Sequence, residues 1–265
     1  MNVQSLYIYP VKSLAGIPMP YLELDDFGPS GDRRWMIVDA QGKFVTQRRL
    51  PKLALIGVVL DDGVVTIEIP GQGDFVLTPA IEQQQVTVWR DQVFASSAQH
   101  VANEALSRFC GEPLRLVYMP DSTFRRVDPD RVADVRRVGF ADGFPFLVAN
   151  TASLDELNGR LAQRVDMRRF RPNIVISGAG PWAEDEWREL NIGGVSFRVV
   201  KPCSRCVLTT VDPDTGEKNP NTEPLKTLAG YRKTPDGVIF GQNAVHEGRG
   251  RVVVGDSVSI IEQEC

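Results

Sequence analysis

The sequence predicts an α+β protein, mostly β, in two units. Short apolar runs rich in valine and isoleucine recur along the whole chain, bounded mostly by glycine, proline or aspartate, the pattern of short strands between turns. Only two stretches carry apolar residues at helical spacing. The length, 265 residues, falls between one and two domains of roughly 150 residues each. With 42% apolar and 24% charged residues, the chain can bury a substantial core.

Taken in order, strands are expected over residues 6–9, 35–39, 53–60, 64–69, 86–89 and 114–118 in the first part of the chain. The second part should hold strands over 173–177, 195–200, 207–211, 251–254 and 257–261. Asp62-Gly63 and Gly193-Gly194 lie between apolar runs and read as hairpin turns. The first helix should begin at Ser97, place Val101, Ala105 and Phe109 on one face, and stop at Gly111 before Pro113. The second has Ser153 and Glu156 as a capping box, with Leu154, Leu157 and Leu161 forming its stripe. Both stripes read as core packing. The first helix closes an N-terminal unit, so the division falls between residues 1–118 and 119–265.

Residues 119–137 read as the connector. They hold Arg125, Arg126, Arg131, Arg136 and Arg137 interleaved with Asp128, Asp130 and Asp134, which suits a solvated loop of self-cancelling charge. The sharper reading is a rim that docks an acidic redox partner or an anionic substrate.

Thirty lysines and arginines against 34 acids give a net charge of −4, which argues against nucleic acid or anionic lipid as the main partner. The N-terminus lacks a basic segment followed by a long apolar one, and nowhere do about 18 apolar residues run together. The expected location is therefore cytoplasmic, with thiols reduced and no membrane span. No Ser-His-Asp order, dinucleotide fingerprint or P-loop is present. His100 and His246 have no partner at catalytic spacing and read as surface or packing residues.

Of the cysteines at 110, 203, 206 and 265, only Cys203 and Cys206 form a close pair. A structural zinc needs four ligands and finds too few. A redox dithiol prefers a helix N-terminus, whereas the residues after Cys206 are β-rich. A third option is one soft thiolate holding a transition metal, with Arg205 beside it to offset charge. The fourth is a buried structural pair, and the spacing alone does not choose among them. Asp212-Pro-Asp-Thr-Gly216 reads as a rigid turn that fixes the segment carrying Cys206.

Four strings occur in order along nearly the whole chain: Tyr9-Pro-Val-Lys-Ser13, Gly31-Asp-Arg-Arg-Trp35, Phe170-Arg-Pro-Asn-Ile-Val-Ile-Ser177 and Pro202-Cys-Ser-Arg-Cys206 running on to Gly216. Together they resemble the MOSC-domain family with its N-terminal β-barrel domain, in particular YcbX-like bacterial members and the mitochondrial amidoxime-reducing components. The resemblance implies a MOSC-type β-barrel core, an N-terminal β-rich domain and a cofactor cleft between them. It also implies that about the first 35 residues pack on the C-terminal domain. The implied cofactor is Mo-molybdopterin, a molybdenum held by the dithiolene of a phosphate-bearing pterin. Cys206 would be the metal ligand and catalytic cysteine, and Cys203 the structural member. Lys12, Ser13, Arg33, Arg171, Asn173, Ser204 and Arg205 match the family's cofactor contacts. Asp142, Gly143 and Phe144 complete the expected set. At Gly143 and Phe144 the mitochondrial relatives carry small hydroxyl residues, so backbone groups would act there.

By the same resemblance the reaction is reduction of small N-hydroxylated compounds to amines. No iron–sulfur cysteine run is present, so electrons are expected from a separate ferredoxin- or flavin-type donor. The competing reading is a carrier of the molybdenum cofactor, or of a persulfide on Cys206.

Overall fold

The computed structural model describes residues 1–261; Cys265 lies outside them. The N-terminal half runs β1 (Asn2–Ile8), β2 (Ile17–Met19), β3 (Tyr21–Asp25), β4 (Gly28–Pro29), β5 (Trp35–Val38), β6 (Gly57–Asp61), β7 (Val64–Ile69), β8 (Gly73–Leu77), β9 (Pro79–Val88), β10 (Asp91–Ala98), α1 (His100–Cys110) and β11 (Arg115–Tyr118). Then follow β12 (Phe146–Asn150), α2 (Thr151–Arg160), β13 (Ile174–Ser177), β14 (Glu189–Ile192), β15 (Val195–Ser204), α3 (Leu225–Ala229), β16 (Lys233–Thr234), β17 (Gly237–Glu247), β18 (Gly250–Val253) and β19 (Val258–Ile260). The fold is α+β and mostly β, as the sequence predicts.

The largest sheet runs β19-β14-β15-β17-β12-β13-β1-β2, with β16 on β17. Its first strand in sequence therefore pairs with β13, Leu6 opposite Ile174 and Val3 opposite Ile176. Likewise β3 pairs with β18. The two ends of the chain share one core, in which Val3, Leu6, Ile8 and Leu24 pack with Phe146, Trp187 and Phe197. A second core forms where Ala102, Ala105 and Leu106 of α1 cover Trp35, Ile37, Ile67 and Leu116. Apolar burial of this kind supplies the main drive for both halves.

Several expectations are corrected. Residues 53–60 do not form one strand: Pro51 opens a 3-10 helix over Pro51–Leu55, where its missing N–H costs nothing, and β6 starts only at Gly57. Residues 207–211 are a 3-10 turn, Val207–Thr210. Its threonine hydroxyls donate backwards, Thr209 to the Cys206 carbonyl (2.9 Å) and Thr210 to that of Val207 (2.7 Å), which satisfies carbonyls a strand would have paired across a ladder. Ser97 belongs to β10, and α1 begins after Gln99, ending as expected on left-handed Gly111. Asn150 caps α2 by accepting from Ala152 N (3.1 Å). The expected cap, Ser153, instead donates to buried Glu184 at 2.8 Å.

The connector is also more than a solvated loop. Val127 and Val132 pack with Val138, Ala141 and Val245. Arg125, 4% exposed, donates to Asp91 (2.7 Å) and to the carbonyls of Gly139 (2.8 Å) and Ala141 (2.6 Å), so a buried charge is paired and its forked donors are used. This strap fixes the loop that carries Asp142. His246 packs edge-on to Phe146, whereas His100 is exposed beside Glu104.

Candidate functional site

A cavity of about 710 Å³ lies between the two halves, and all eleven residues predicted for the site line it. Lys12 and Ser13 arrive on the turn after β1. The backbone of Lys12 donates to Trp35 O (2.8 Å), and its ammonium reaches the Phe140 carbonyl (2.6 Å) and Asp142 Oδ1 (2.5 Å). Arg33 donates to Asp32 (2.6 Å), to Asn173 Oδ1 (3.0 Å) and to the Arg171 carbonyl (3.3 Å). Asn173 also bonds Asp32 Oδ1 (3.2 Å) and receives Leu147 N (3.2 Å). It thereby ties the second string to the third. Arg171 caps the 3-10 helix Met167–Phe170 and donates to the Leu14 carbonyl at 2.7 Å. Its second terminal nitrogen is buried without a partner.

Seven non-glycine residues among those described have positive φ, and four of them line this cavity: Ser13 (71°), Arg33 (45°), Trp89 (56°) and Arg171 (55°). Each such backbone costs of the order of 1 kcal/mol. This strain sits at the wall of the cavity and aims side chains that a relaxed backbone would direct elsewhere.

Ser204 ends β15, Arg205 follows, and Cys206 opens the 3-10 turn. Here one expectation is corrected. Arg205 does not sit on the Cys206 thiol; it donates to Cys203 Sγ (2.9 Å) and to the Phe170 carbonyl (2.7 Å). Cys206 Sγ instead receives Arg48 Nε at 3.0 Å. Arg48 also donates to Asp142 Oδ2 (3.0 Å) and lies 4.8 Å from the Trp89 ring centroid. Trp89 completes the group by donating Nε1 to Asp142 Oδ1 (3.1 Å). Sequence reasoning missed Arg48 and Trp89, which lie outside the four strings, and placed Arg125 only in the charged connector, as part of a rim for an acidic partner or an anionic substrate. For Arg48 the sole signal was a basic pair, Arg48-Arg49, after Thr46-Gln47. Of the remaining two predicted residues, Phe144 turns partly into the Val127 cluster. Gly143 has open space where a Cβ would stand, so nothing steric requires glycine there.

The lining holds nine lysines and arginines against four aspartates, a local excess of positive charge in a chain of net charge −4. Burial pushes Lys12 down to about 8, against the pull of Asp142. Burial, with Arg33 nearby, pushes Arg171 down to about 10. For Asp142, burial acts upward, but Lys12 and Arg48 outweigh it and hold the carboxyl well below the usual range. Asp32 is pushed up by burial despite Arg33. The cavity therefore spends desolvation free energy to crowd cations, an arrangement complementary to an anion. Among the described residues no group of three or more His, Cys, Asp or Glu gathers to hold a metal ion. The two thiols at this site, Cys203 and Cys206, stand amid cations.

The profile of the MOSC N-terminal beta barrel domain matches residues 1–113, and that of the MOSC domain matches residues 135–259. The chain belongs to the MOSC-domain family. Mitochondrial amidoxime-reducing component 1 of Homo sapiens is 38% identical, the match covering 99% of this MOSC protein and 83% of the relative. Mitochondrial amidoxime reducing component 2 of Homo sapiens is 36% identical over 87% of this chain and 72% of its own. A protein of Oryza sativa subsp. japonica named molybdenum cofactor sulfurase is 29% identical over 99% of this chain but only 35% of its own length. The MOSC chain thus corresponds to about a third of that relative.

Proposed function

We propose that this MOSC protein binds a molybdenum cofactor in the cavity and reduces N-hydroxylated compounds to amines, with electrons from a separate redox protein. The observation that carries the reading is a cavity lined by two thiols, Cys203 held by Arg205 and Cys206 held by Arg48, in which nine cations gather against four carboxylates. That donor set suits a metal that brings its own organic, phosphate-bearing ligand, and the partnerless buried nitrogen of Arg171 is a donor left unused by the protein.

Bound there, the cofactor would supply two-electron redox chemistry, the substrate N–O bond being cleaved with two electrons and two protons to give the amine and water. Cys206 would hold the metal through sulfur, and Arg48, 3.0 Å from that sulfur, offsets the thiolate charge. Lys12, Arg33 and Arg171 would hold the phosphate, with Ser13, Asn173 and Ser204 fixing the pterin by hydrogen bonds. Arg205 keeps Cys203 and the Phe170 carbonyl together, which orients the segment that presents Cys206. Lys12 and Asp142, 2.5 Å apart, keep an exchangeable proton at the cavity wall. Trp89 and Phe144 add aromatic surface to the cavity lining. The proposed compartment is the cytoplasm; among the described residues no helix is long and apolar enough to cross a membrane.

The deciding experiment supplies metal-loaded protein with a chemical reductant and benzamidoxime. Amine formation supports the enzyme. Loaded protein that forms none supports the second reading, a cofactor carrier, which the match to the sulfurase relative favours.

A further inference from the structure

Arg33 and Arg171 are two buried cations with unequal support. Arg33 has a carboxylate, Asp32, at 2.6 Å. Arg171 makes no salt bridge among the described residues; one nitrogen donates to the Leu14 carbonyl and another has no partner. What both share is Tyr9. The guanidinium carbons lie 4.3 Å and 4.2 Å from its ring centroid, within the range where the negative face of a ring attracts a cation.

The ring is held on every side the structure describes. Tyr9 is 1% exposed, its N–H donates to Asp32 Oδ1 (2.8 Å), and its carbonyl accepts from Arg33 N (2.8 Å). Its hydroxyl donates to the Pro172 carbonyl, next to Arg171, at 3.2 Å. Gly16 closes the ring edge: a Cβ there would stand 2.3 Å from Tyr9 Cε1.

We propose that Tyr9 is a positioning residue of the anion cradle, its ring setting Arg33 and Arg171 side by side so that two like charges face one anionic group. The hydroxyl is a minor anchor; the aromatic face carries the role. This inference rests on the reading of the cavity as an anion site.

The test titrates inorganic phosphate into the metal-free full-length protein at low ionic strength and reads binding by thermal shift, with urea unfolding in the absence of phosphate as the control for folding. Tyr9→Phe, which keeps the ring, is expected to bind within about threefold of wild type, since it loses one long hydrogen bond. Tyr9→Leu and Tyr9→Met, which remove the ring, are expected to bind at least about tenfold more weakly. Gly16→Ala, which leaves Tyr9 in place but displaces the ring, should fall with them. Folded Tyr9→Leu or Tyr9→Met that binds like wild type, while Arg171→Ala loses binding, overturns the role of Tyr9. Arg171→Ala and Arg33→Ala that both bind like wild type overturn the anion cradle itself. Should one ring-free variant not fold, the other and Gly16→Ala read the same displacement.

Discussion

One guanidinium, that of Arg48, divides its donors between a thiol and a carboxylate: Nε on Cys206 Sγ at 3.0 Å and Nη2 on Asp142 Oδ2 at 3.0 Å. Lysine presents a point charge rather than a fork, so Arg48→Lys should behave nearly as Arg48→Ala, each lowering retained molybdenum about tenfold, measured as metal per purified chain. Cys206→Ser is expected to carry almost none where wild type is near stoichiometric; equal metal in both would remove Cys206 as ligand. Lys12 sets a pH dependence. Its ordinary value is 10.5 and burial brings it to about 8. Between those values the unfolded chain holds a proton that the folded chain has lost, so this group's contribution to stability rises with pH across that window. Anion binding runs the other way, since it needs the ammonium. Affinity for sulfate, a dianion whose charge does not change across this range, should be level below about pH 8 and weaken above it, and Lys12→Gln should remove the bend; a wild-type profile without that bend would refute the assignment.

At the scale of elements, hairpins announced themselves. Asp62 and Gly63 both have positive φ, 45° and 78°, the turn that Asp-Gly favours between strands. The segment after Cys206 did not, because Val-Leu-Thr-Thr-Val has β-branched composition, while the deciding contacts are the backward bonds of two threonine hydroxyls. The longest strand, β17, was missed for another reason: Gly241, Gln242 and Asn243 interrupt its apolar run. Those three sit where the strand passes between β12 and β15. Gly241 has φ 75°, and a Cβ on it would stand 2.8 Å from the Val148 carbonyl. Gly241→Ala should therefore cost about 2 kcal/mol or more, read as a lower urea midpoint. The site's cysteine, Lys12 and the two cradle arginines were legible through the four strings. Arg48 and Trp89 were not, since a contact across 158 positions, Arg48 to Cys206, leaves no trace in local pattern.

For the whole molecule, the interleaving of the two ends governs what can be cut or added. Residues 119–265 expressed alone would lack β1, leaving β13 with an open edge and the core that Leu6 and Ile8 fill exposed. Such a fragment is expected to lack a cooperative unfolding transition by circular dichroism, and adding residues 1–118 as a separate chain should restore it. Turnover driven by NADH is expected only after a ferredoxin- or flavin-type donor system is supplied; turnover without one would contradict the need for a partner. The left-handed residues around the cavity bear on engineering. Glycine at Ser13 would relax a backbone at φ 71° and so raise the melting temperature, whereas glycine at Arg33 would leave buried Asp32 without its cation and lower it. A campaign that selects for heat resistance alone would therefore drift toward glycine at Ser13 and deliver a sturdier molecule that has given up a hydroxyl of the cavity wall. Any such screen on this scaffold must score retained metal alongside survival.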